Sequence, residues 1–308
     1  MAQVKVDRSL LEGMTKRERQ TFVREMARQE RERQARQRRQ RRIAGWSAAG
    51  AVVVLAVAGG ITAGVAWANN AAAAEAEKAA QAAADAARGP ANMLTDGLLL
   101  TGDGTAVTPV STGALEGGAT PGKSATDAAT TGVLDVQLYV DPTSADAATF
   151  WSTAGTTIQN ALTAGELSLE LHPIAQTGSA DALAAVAAFG CFAALQPDAA
   201  LAAWNAMLQV GVDGAATGAT LTADDLTGVM TTAAATDDVV NCVDGDTYAQ
   251  WAEAASTRAT ASIPYATDAA ATSGVTVVAA GSVYTGSLGD AAALSSFLTD
   301  ALTAATAG

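Results

Sequence analysis

Residues 43–68 contain 26 consecutive positions without Asp, Glu, Lys or Arg. A stretch of this length and polarity predicts one membrane-spanning helix. Trp46 and Trp67 flank it, and at about 1.5 Å of rise per residue they lie about 31 Å apart, close to the thickness of a hydrocarbon core. A cleaved secretory signal is the alternative, because Ala66-Trp67-Ala68 has the small residues of a cleavage site, but such signals have shorter apolar regions.

Small residues recur at every fourth position of this segment, at Ala56, Gly60, Gly64 and Ala68. This spacing places them on one face of the predicted helix. Gly60 and Gly64 form a GxxxG pattern, which lets a second helix approach closely. We therefore expect a membrane-protein partner at this face. Chance is the alternative, since small residues are frequent throughout the chain.

Charge is distributed very unequally on the two sides of this segment. Residues 1–42 contain 14 basic and 6 acidic residues, whereas residues 69–308 contain 4 basic and 25 acidic residues. The positive-inside rule predicts a cytoplasmic basic tail at residues 1–42 and an extracytoplasmic part after residue 68, in a single-pass protein of the cell membrane. An outer part this acidic repels nucleic acid, so we expect no nucleic-acid partner.

Two segments between residues 69 and 131 differ in composition from the rest of the outer part. Residues 69–89 are rich in Ala and end at Gly89-Pro90, which predicts a helical stalk. Residues 90–131 are rich in Gly, Thr and Pro, which predicts a linker. Within that linker only Leu98-Leu99-Leu100 has the composition of a short strand.

From residue 132 onward, hydrophobic periodicity predicts a folded domain. Leu134, Val136 and Leu138 alternate with polar residues, a helical pattern follows at about residues 145–164, and a second alternation covers residues 167–172. A strand, helix and strand in this order predict a parallel pair. The later elements are helical stretches at 181–195, 198–209, 223–232 and 246–272, strands at 275–280 and 283–284, and a helix at 290–302.

The order of these elements is βαβ, helical insertion, ββα, and local motifs agree with it. Tyr139, Asp141 and Phe150 match the outer positions of the spacing Y-x-D-x-x-C-P-x-C-x-x-F of DsbA-like disulfide oxidoreductases. Residues 172–175 resemble the segment after the second strand of that family, and residues 276–278 with Gly281 resemble the strand that follows its cis-proline. Residues 91–104 also resemble the lead-in of the membrane-anchored members. Residues 90–308 therefore resemble membrane-anchored DsbA-like proteins of the thioredoxin superfamily, which implies an α/β thioredoxin-like fold for the domain at residues 132–308.

The residues depart from the family at its redox positions. Ser144 and Ala147 stand where the family has its two reactive cysteines, and Val275 stands where it has a cis-proline. Thiol–disulfide exchange requires a thiolate, which neither serine nor alanine supplies. We therefore expect a degenerate domain that is not an enzyme, with an ordinary trans peptide before Val275 and without a metal or cofactor.

These departures lead to a hypothesis of function. The outer domain is expected to be a redox-inactive protein-binding or accessory module of a membrane complex. A groove beside Tyr139, Phe150, Trp151 and Val275 is the expected contact surface for an extracytoplasmic protein partner. His172 is the only histidine, and its position before Pro173 matches a structural position of the family.

Two cysteines remain, Cys191 and Cys242, and they allow only one pairing. Anchored relatives in the family commonly carry a second bond, which implies a structural disulfide here. Closing a loop of 52 residues stabilises the fold by about 4 kcal/mol in the chain-entropy model. Two free buried thiols are one alternative. The other is a reactive dithiol, which makes the chain a thiol-disulfide oxidoreductase that uses Cys191 and Cys242.

Overall fold

The computed structural model describes residues 77–81, 87–124 and 132–307. All of them belong to one compact unit, Ala74–Gly308. The predicted basic tail and membrane helix, with Ala56, Gly60, Gly64 and Ala68, lie outside the described residues. Within the described ranges, no helix has the length and apolar character needed to cross a bilayer. Of the predicted stalk, residues 77–81 are described and are helical.

Six strands form one mixed sheet in the described part of the chain. The strands are β1 (Leu98–Gly102), β2 (Val107–Pro109), β3 (Leu134–Val140), β4 (Leu167–Pro173), β5 (Val275–Ala279) and β6 (Ser282–Val283). Their order in the sheet is β2-β1-β4-β3-β5-β6. The central strand β3 runs parallel to β4, with Leu134 opposite Leu167, and antiparallel to β5, with Val140 opposite Val275. This arrangement, with helices packed against it, is a thioredoxin-like α/β fold.

Seven α-helices accompany the sheet in the described part of the chain. The first connects β3 to β4, the next five form the helical insertion between β4 and β5, and the seventh follows β6. They are α1 (Ala145–Thr163), α2 (Ala180–Leu195), α3 (Pro197–Gly214), α4 (Leu226–Thr232), α5 (Asp237–Asp244), α6 (Ala249–Ala261) and α7 (Ala291–Thr306).

Side-chain caps define where several of these helices begin. Ser144, Ser179, Thr236 and Asp290 each accept a hydrogen bond from a backbone N–H in the first turn of the following helix. These bonds satisfy donors that have no partner within a helix. Because short polar residues at such positions favour helix starts, the sequence predicts α1, α2 and α7 close to their observed beginnings.

The sheet has a hydrophobic cluster on each face. Alternate residues of β3, including Val136 and Leu138, enter the main core together with Trp204 and Trp251. Tyr139 points to the other face, where it joins Ile263 and other residues of a smaller cluster. Strand β4 is buried along its whole length, so its polar side chains are buried too.

The predicted linker at residues 90–131 requires correction. Strand β1 pairs antiparallel with β4, and Leu98 and Leu100 are essentially inaccessible to solvent. Residues 98–109 therefore belong to the sheet of the folded domain. The composition of the segment did not indicate this strand, because the Gly and Thr residues around the three leucines are typical of loops. The leucines themselves provide the buried surface.

The predicted helix at residues 246–272 is also longer than the observed α6, which ends at Ala261. Pro264 lies inside the predicted range, and proline cannot continue a helix because it lacks an N–H group and clashes with the preceding turn. The residues after Ala261 instead form a loop in which Ile263 N donates a hydrogen bond to Ala269 O over 2.9 Å.

A substitution in β1 tests whether this segment is part of the core. We expect Leu98→Ala to lower the free energy of unfolding by about 2–5 kcal/mol, because it removes a buried side chain and leaves a cavity. Chemical denaturation measures this change. Leu94→Ala is the matched control, since Leu94 is 47% exposed. Equal, small effects of both substitutions would show that β1 does not contribute to the core.

Candidate functional site

The N-terminus of α1 is the position at which the resemblance places a redox pair. Ser144 caps this helix: its hydroxyl accepts a hydrogen bond from Ala147 N over 3.0 Å and donates one to Asp141 O over 2.8 Å. Ala147 is buried beneath it. The contacts of Ser144 are those of a helix cap, and its hydroxyl has no neighbouring base among these partners.

The loop before β5 reaches the same place. A Cβ atom added to Gly274 would overlap the side chain of Ser144, so only glycine fits here without movement. The described residues contain no cis peptide bond, so the bond between Gly274 and Val275 is trans. The structure thus brings Ser144 and the segment before Val275 into contact, as the resemblance implies.

Asp141 organises the loops around this position. Its carboxylate accepts hydrogen bonds from Thr143 N and Gln176 N, both over 3.0 Å, and its own N–H donates to Gly274 O over 2.9 Å. Only 2% of Asp141 is exposed. The carboxylate of Asp141 therefore joins the segments that follow β3 and β4, and its backbone N–H holds the segment before β5.

The structure does not bring the four side chains of the expected groove together at an open surface. Tyr139, Phe150, Trp151 and Val275 are all buried. Successive residues of a strand point to opposite faces. Tyr139 accordingly lies in the smaller cluster, whereas Val275 lies with Phe150 and Trp151 in the main core. Trp151 packs edge-to-face against Trp204.

Cys191 and Cys242 form a disulfide that joins α2 to α5, with their Cα atoms 5.9 Å apart. The expected pairing is confirmed, and both cysteines of the chain are used. Cys191 is 1% exposed and Cys242 is 7% exposed. Both residues are therefore buried, and Cys242 is the more exposed of the two.

Acidic side chains surround the exposed side of α5. Asp237 and Asp238 lie in its first turn and Asp244 lies at its end, and no residue of α5 is basic. The helix has eight residues, of which only Val239 and Cys242 are buried. The sulfur pair thus lies below a short, negatively charged surface helix.

A second group of polar side chains is buried on the opposite face of the sheet, around Glu170 of β4. Tyr265 donates a hydrogen bond to Glu170 Oε2 over 2.6 Å, and Thr95 donates one to Oε1. His172 Nε2 lies 3.6 Å from Glu170 Oε2, which is longer than a hydrogen bond. Glu170 and His172 are each 1% exposed.

These contacts determine the ionisation of Glu170. Burial by itself raises the pKa of a carboxyl group, but the neighbouring His172 ring and the hydrogen bonds from Thr95 and Tyr265 lower the pKa of Glu170 by more. The pKa of Glu170 therefore lies below its ordinary value of 4.5. Burial also raises the pKa of Tyr265, whose hydroxyl remains a donor to the carboxylate.

Asp96 is a second buried carboxylate beside this group. It accepts two hydrogen bonds from Arg258, over 2.8 and 2.9 Å, and one from Trp251 Nε1 over 2.9 Å. Such two-point pairing is the strongest geometry for arginine and carboxylate. It connects the segment before β1 to α6.

Sequence analysis did not identify Glu170 or Asp96. The alternation around Glu170 resembles that of a strand with one solvated face, and Asp96 lies in a stretch with the composition of a linker. Two signals were present in the sequence: the leucine triplet at residues 98–100, which indicates a short strand, and the resemblance of residues 91–104 to the lead-in of anchored DsbA-like proteins.

A cavity of about 210 Å³ lies between α1 and α7. Its lining is mainly apolar and includes Ile158, Leu294 and Leu302, with Glu166 among its polar groups. None of the four residues of the expected groove lines it.

No family model matches the chain, and no curated protein matches it. Solved structures do. The MdbA thiol-disulfide oxidoreductase of Actinomyces oris is 18% identical, over 58% of this chain and 84% of that one, with a TM-score of 0.46. DsbA of Mycobacterium tuberculosis is 19% identical, over 69% and 98% of the two chains, also with a TM-score of 0.46. The disulfide oxidoreductase DsbG of the same organism is 20% identical, over 56% and 83%, with a TM-score of 0.44.

The MdbA protein is a thiol-disulfide oxidoreductase and DsbG is a disulfide oxidoreductase, the class of protein that the sequence resembles. The expectation that the chain is not an enzyme requires correction. That expectation relied on the loss of both cysteines, at Ser144 and Ala147, and of the proline, at Val275, and it took the bond between Cys191 and Cys242 to be structural. The chain contains this sulfur pair in oxidised form. The absence of thiols at the start of α1 therefore does not show that redox activity is lost.

The hydrogen bonds around Glu170 should make the free energy of unfolding depend on pH in the acid range. A carboxylate whose folded pKa is lowered stabilises the fold above its ordinary, unfolded value of 4.5, and this contribution is lost as pH falls through the folded value. We expect Glu170→Gln to lower the free energy of unfolding near neutral pH by about 2 kcal/mol. The difference from wild type should shrink as pH falls below about 4. Denaturation across this pH range measures it.

Glu166→Gln is the matched control, because Glu166 is exposed and lies just before β4. It should follow the wild-type curve at every pH. A constant difference between wild type and Glu170→Gln down to the acid transition would contradict a lowered pKa at Glu170.

Proposed function

We propose that this protein is a thiol-disulfide oxidoreductase that works through Cys191 and Cys242. The proposal rests on the formed disulfide between α2 and α5, which pairs both cysteines of the chain. A formed disulfide supplies the oxidising equivalent for one exchange with a dithiol. The proposal does not require a thiol at Ser144 or Ala147.

Helix α5 has few buried residues, and this supports access of a substrate thiol to the sulfur pair. Besides Cys242, only Val239 is a buried residue of this helix, and its cap residue Thr236 donates a backbone hydrogen bond to the Gln196 side chain over 2.9 Å. Short surface helices with few buried contacts open at low free-energy cost. Local opening of α5 exposes Cys242 while Cys191 stays in α2.

The exchange has two steps. A substrate thiolate attacks Cys242 Sγ, the bond between the two protein sulfurs breaks, and Cys191 leaves as a thiolate that takes up a proton. A second substrate thiolate then attacks the substrate sulfur of this mixed disulfide, and Cys242 leaves in turn. The substrate dithiol loses two electrons and becomes a disulfide, and the protein gains them as a dithiol.

The charge around α5 selects among substrates. Asp237, Asp238 and Asp244 are exposed near Cys242. An anionic thiol approaching this surface is repelled, whereas a thiol flanked by basic groups is attracted. The proposed substrate is therefore a polypeptide dithiol with basic residues near its cysteines.

We also propose that the domain lies outside the cytoplasm, tethered by the membrane segment at residues 43–68 with the basic tail inside. The disulfide supports this placement, because disulfides persist in oxidising compartments. The face with Gly60 and Gly64 would bind a membrane-protein partner, which brings the domain into a membrane complex.

Small thiols of opposite charge test the redox proposal. We expect cysteamine, which carries an ammonium group, to reduce the disulfide roughly three- to tenfold faster than 3-mercaptopropionate at about 0.01 M salt, after correction for thiolate concentration. The ratio should approach one at about 1 M salt. Asp238→Asn should reduce the ratio, whereas Asp213→Asn on α3 serves as the control.

A peptide dithiol gives the decisive measurement. Native wild-type protein should convert a basic dithiol peptide to its disulfide in equal molar amount. In the reverse direction, the free Cys242 thiolate of Cys191→Ser should attack the disulfide form of the same peptide, release one peptide thiol and retain the peptide as a mixed disulfide. Loss of the disulfide costs about 4 kcal/mol of stability, so the folding of this variant is checked by circular dichroism. Reduction of the wild type at no more than its rate of global unfolding would overturn the proposal.

The membrane partner has a separate test. Gly60→Leu should reduce the amount of partner, or of a second copy of this chain, that is crosslinked in mild detergent, because leucine prevents close helix approach. Ala58→Leu is the control, since residue 58 lies on the opposite face of the predicted helix. Unchanged crosslinking in Gly60→Leu would exclude this face as the contact.

A further inference from the structure

A small cavity lies between the sheet and α6, on the face opposite the main core. Its lining includes Tyr139 of β3, His172 of β4, Ala259 of α6 and Ile263 of the following loop. Asp96 and Arg258 line it as well. The volume of about 10 Å³ is about what one water molecule needs, and it is too small for a larger ligand.

Three polar atoms of the lining residues have no hydrogen-bond partner in the protein. They are Tyr139 Oη and the two ring nitrogens of His172. Both residues are almost completely buried, at 2% and 1% exposure, and their rings stack with centroids 4.1 Å apart. Buried polar atoms are nearly always hydrogen-bonded to protein or to ordered water.

Protein groups nearby do not supply these bonds. The nearest carboxylate oxygen, Glu170 Oε2, lies 3.6 Å from His172 Nε2 and already accepts the Tyr265 hydroxyl. Asp96 uses its oxygens for Arg258 and Trp251. The space beside the ring is closed by Gly97, where an added Cβ atom would overlap the imidazole.

The hydroxyl of Tyr139 is protonated, so it can hydrogen-bond to a bridging molecule. Burial, and then the nearby Tyr265, Glu170 and Asp96 groups, raise the pKa of Tyr139 well above its ordinary value. Its hydroxyl therefore keeps its proton and offers one donor and one acceptor. Water offers two donors and two acceptors and matches both this hydroxyl and an imidazole nitrogen.

We propose that this cavity binds one water molecule, which hydrogen-bonds to the Tyr139 hydroxyl and to a ring nitrogen of His172. The water belongs to the buried polar group around Glu170 and joins β3 to β4 on the side that α6 covers. This role is independent of the sulfur pair, since Cys191 and Cys242 do not line the cavity.

Removal of the Tyr139 hydroxyl distinguishes a hydrated cavity from a dry one. If water is bound, Tyr139→Phe takes away one of its partners, and we expect the Tm to fall by about 2–4 °C, the shift that a lost hydrogen bond causes in a domain of this size. If the cavity is dry, the same change removes an unpaired buried hydroxyl, and the Tm should rise. Tyr248→Phe, outside the cavity, is the control and should change the Tm little.

A second measurement shows whether a change in Tm comes from the loss of bound water or from another cause. His172 is the only histidine, so its ring signals in NMR spectra are assigned without further variants. We expect magnetisation transfer from water to the His172 ring in wild type and a weaker transfer in Tyr139→Phe. A crystal structure should show one water within hydrogen-bond distance of both side chains. A rise in Tm, or an empty cavity in the crystal, would overturn the proposal.

Discussion

The buried carboxylate of Glu170 sets a condition that the surrounding structure has to meet. A charge removed from water is costly unless opposite charge and hydrogen bonds compensate it. The compensation comes from Thr95 before β1, from His172 on the same strand and from Tyr265 after α6. Three segments that are distant in sequence must therefore be in place together for β4 to be buried.

Asp96 imposes a related condition on the same segments. Its bonds to Arg258 and Trp251 join the chain before β1 to α6, next to the contacts of Glu170. The two carboxylates fix the helical insertion to the sheet at one end. Within the insertion, the disulfide fixes α5 to α2. Electrostatic and covalent constraints thus act on different parts of the same unit.

Periodicity predicted the elements whose pattern is local. The alternation at Leu134, Val136 and Leu138, and the pairing of Cys191 with Cys242 implied by the resemblance, are confirmed. Strand β1 was not predicted as part of the sheet, because its burial depends on β4, some 70 residues later, and no local pattern contains that information. The same limit applies to Glu170: alternation of polar and apolar residues does not tell whether the polar face meets water or a second layer.

The place of β5 in the sheet has a consequence for the order of folding. Val136 pairs with Ala279 across β3 and β5, and the whole helical insertion lies between these two strands. During synthesis, β1, β3 and β4 are available long before β5 emerges, so the edge of β3 stays open while the insertion is made. Contacts this far apart in sequence slow folding and leave an unpaired strand exposed to aggregation. The edge of β3 is therefore the place at which the growing chain can pair wrongly during the interval in which the insertion is translated.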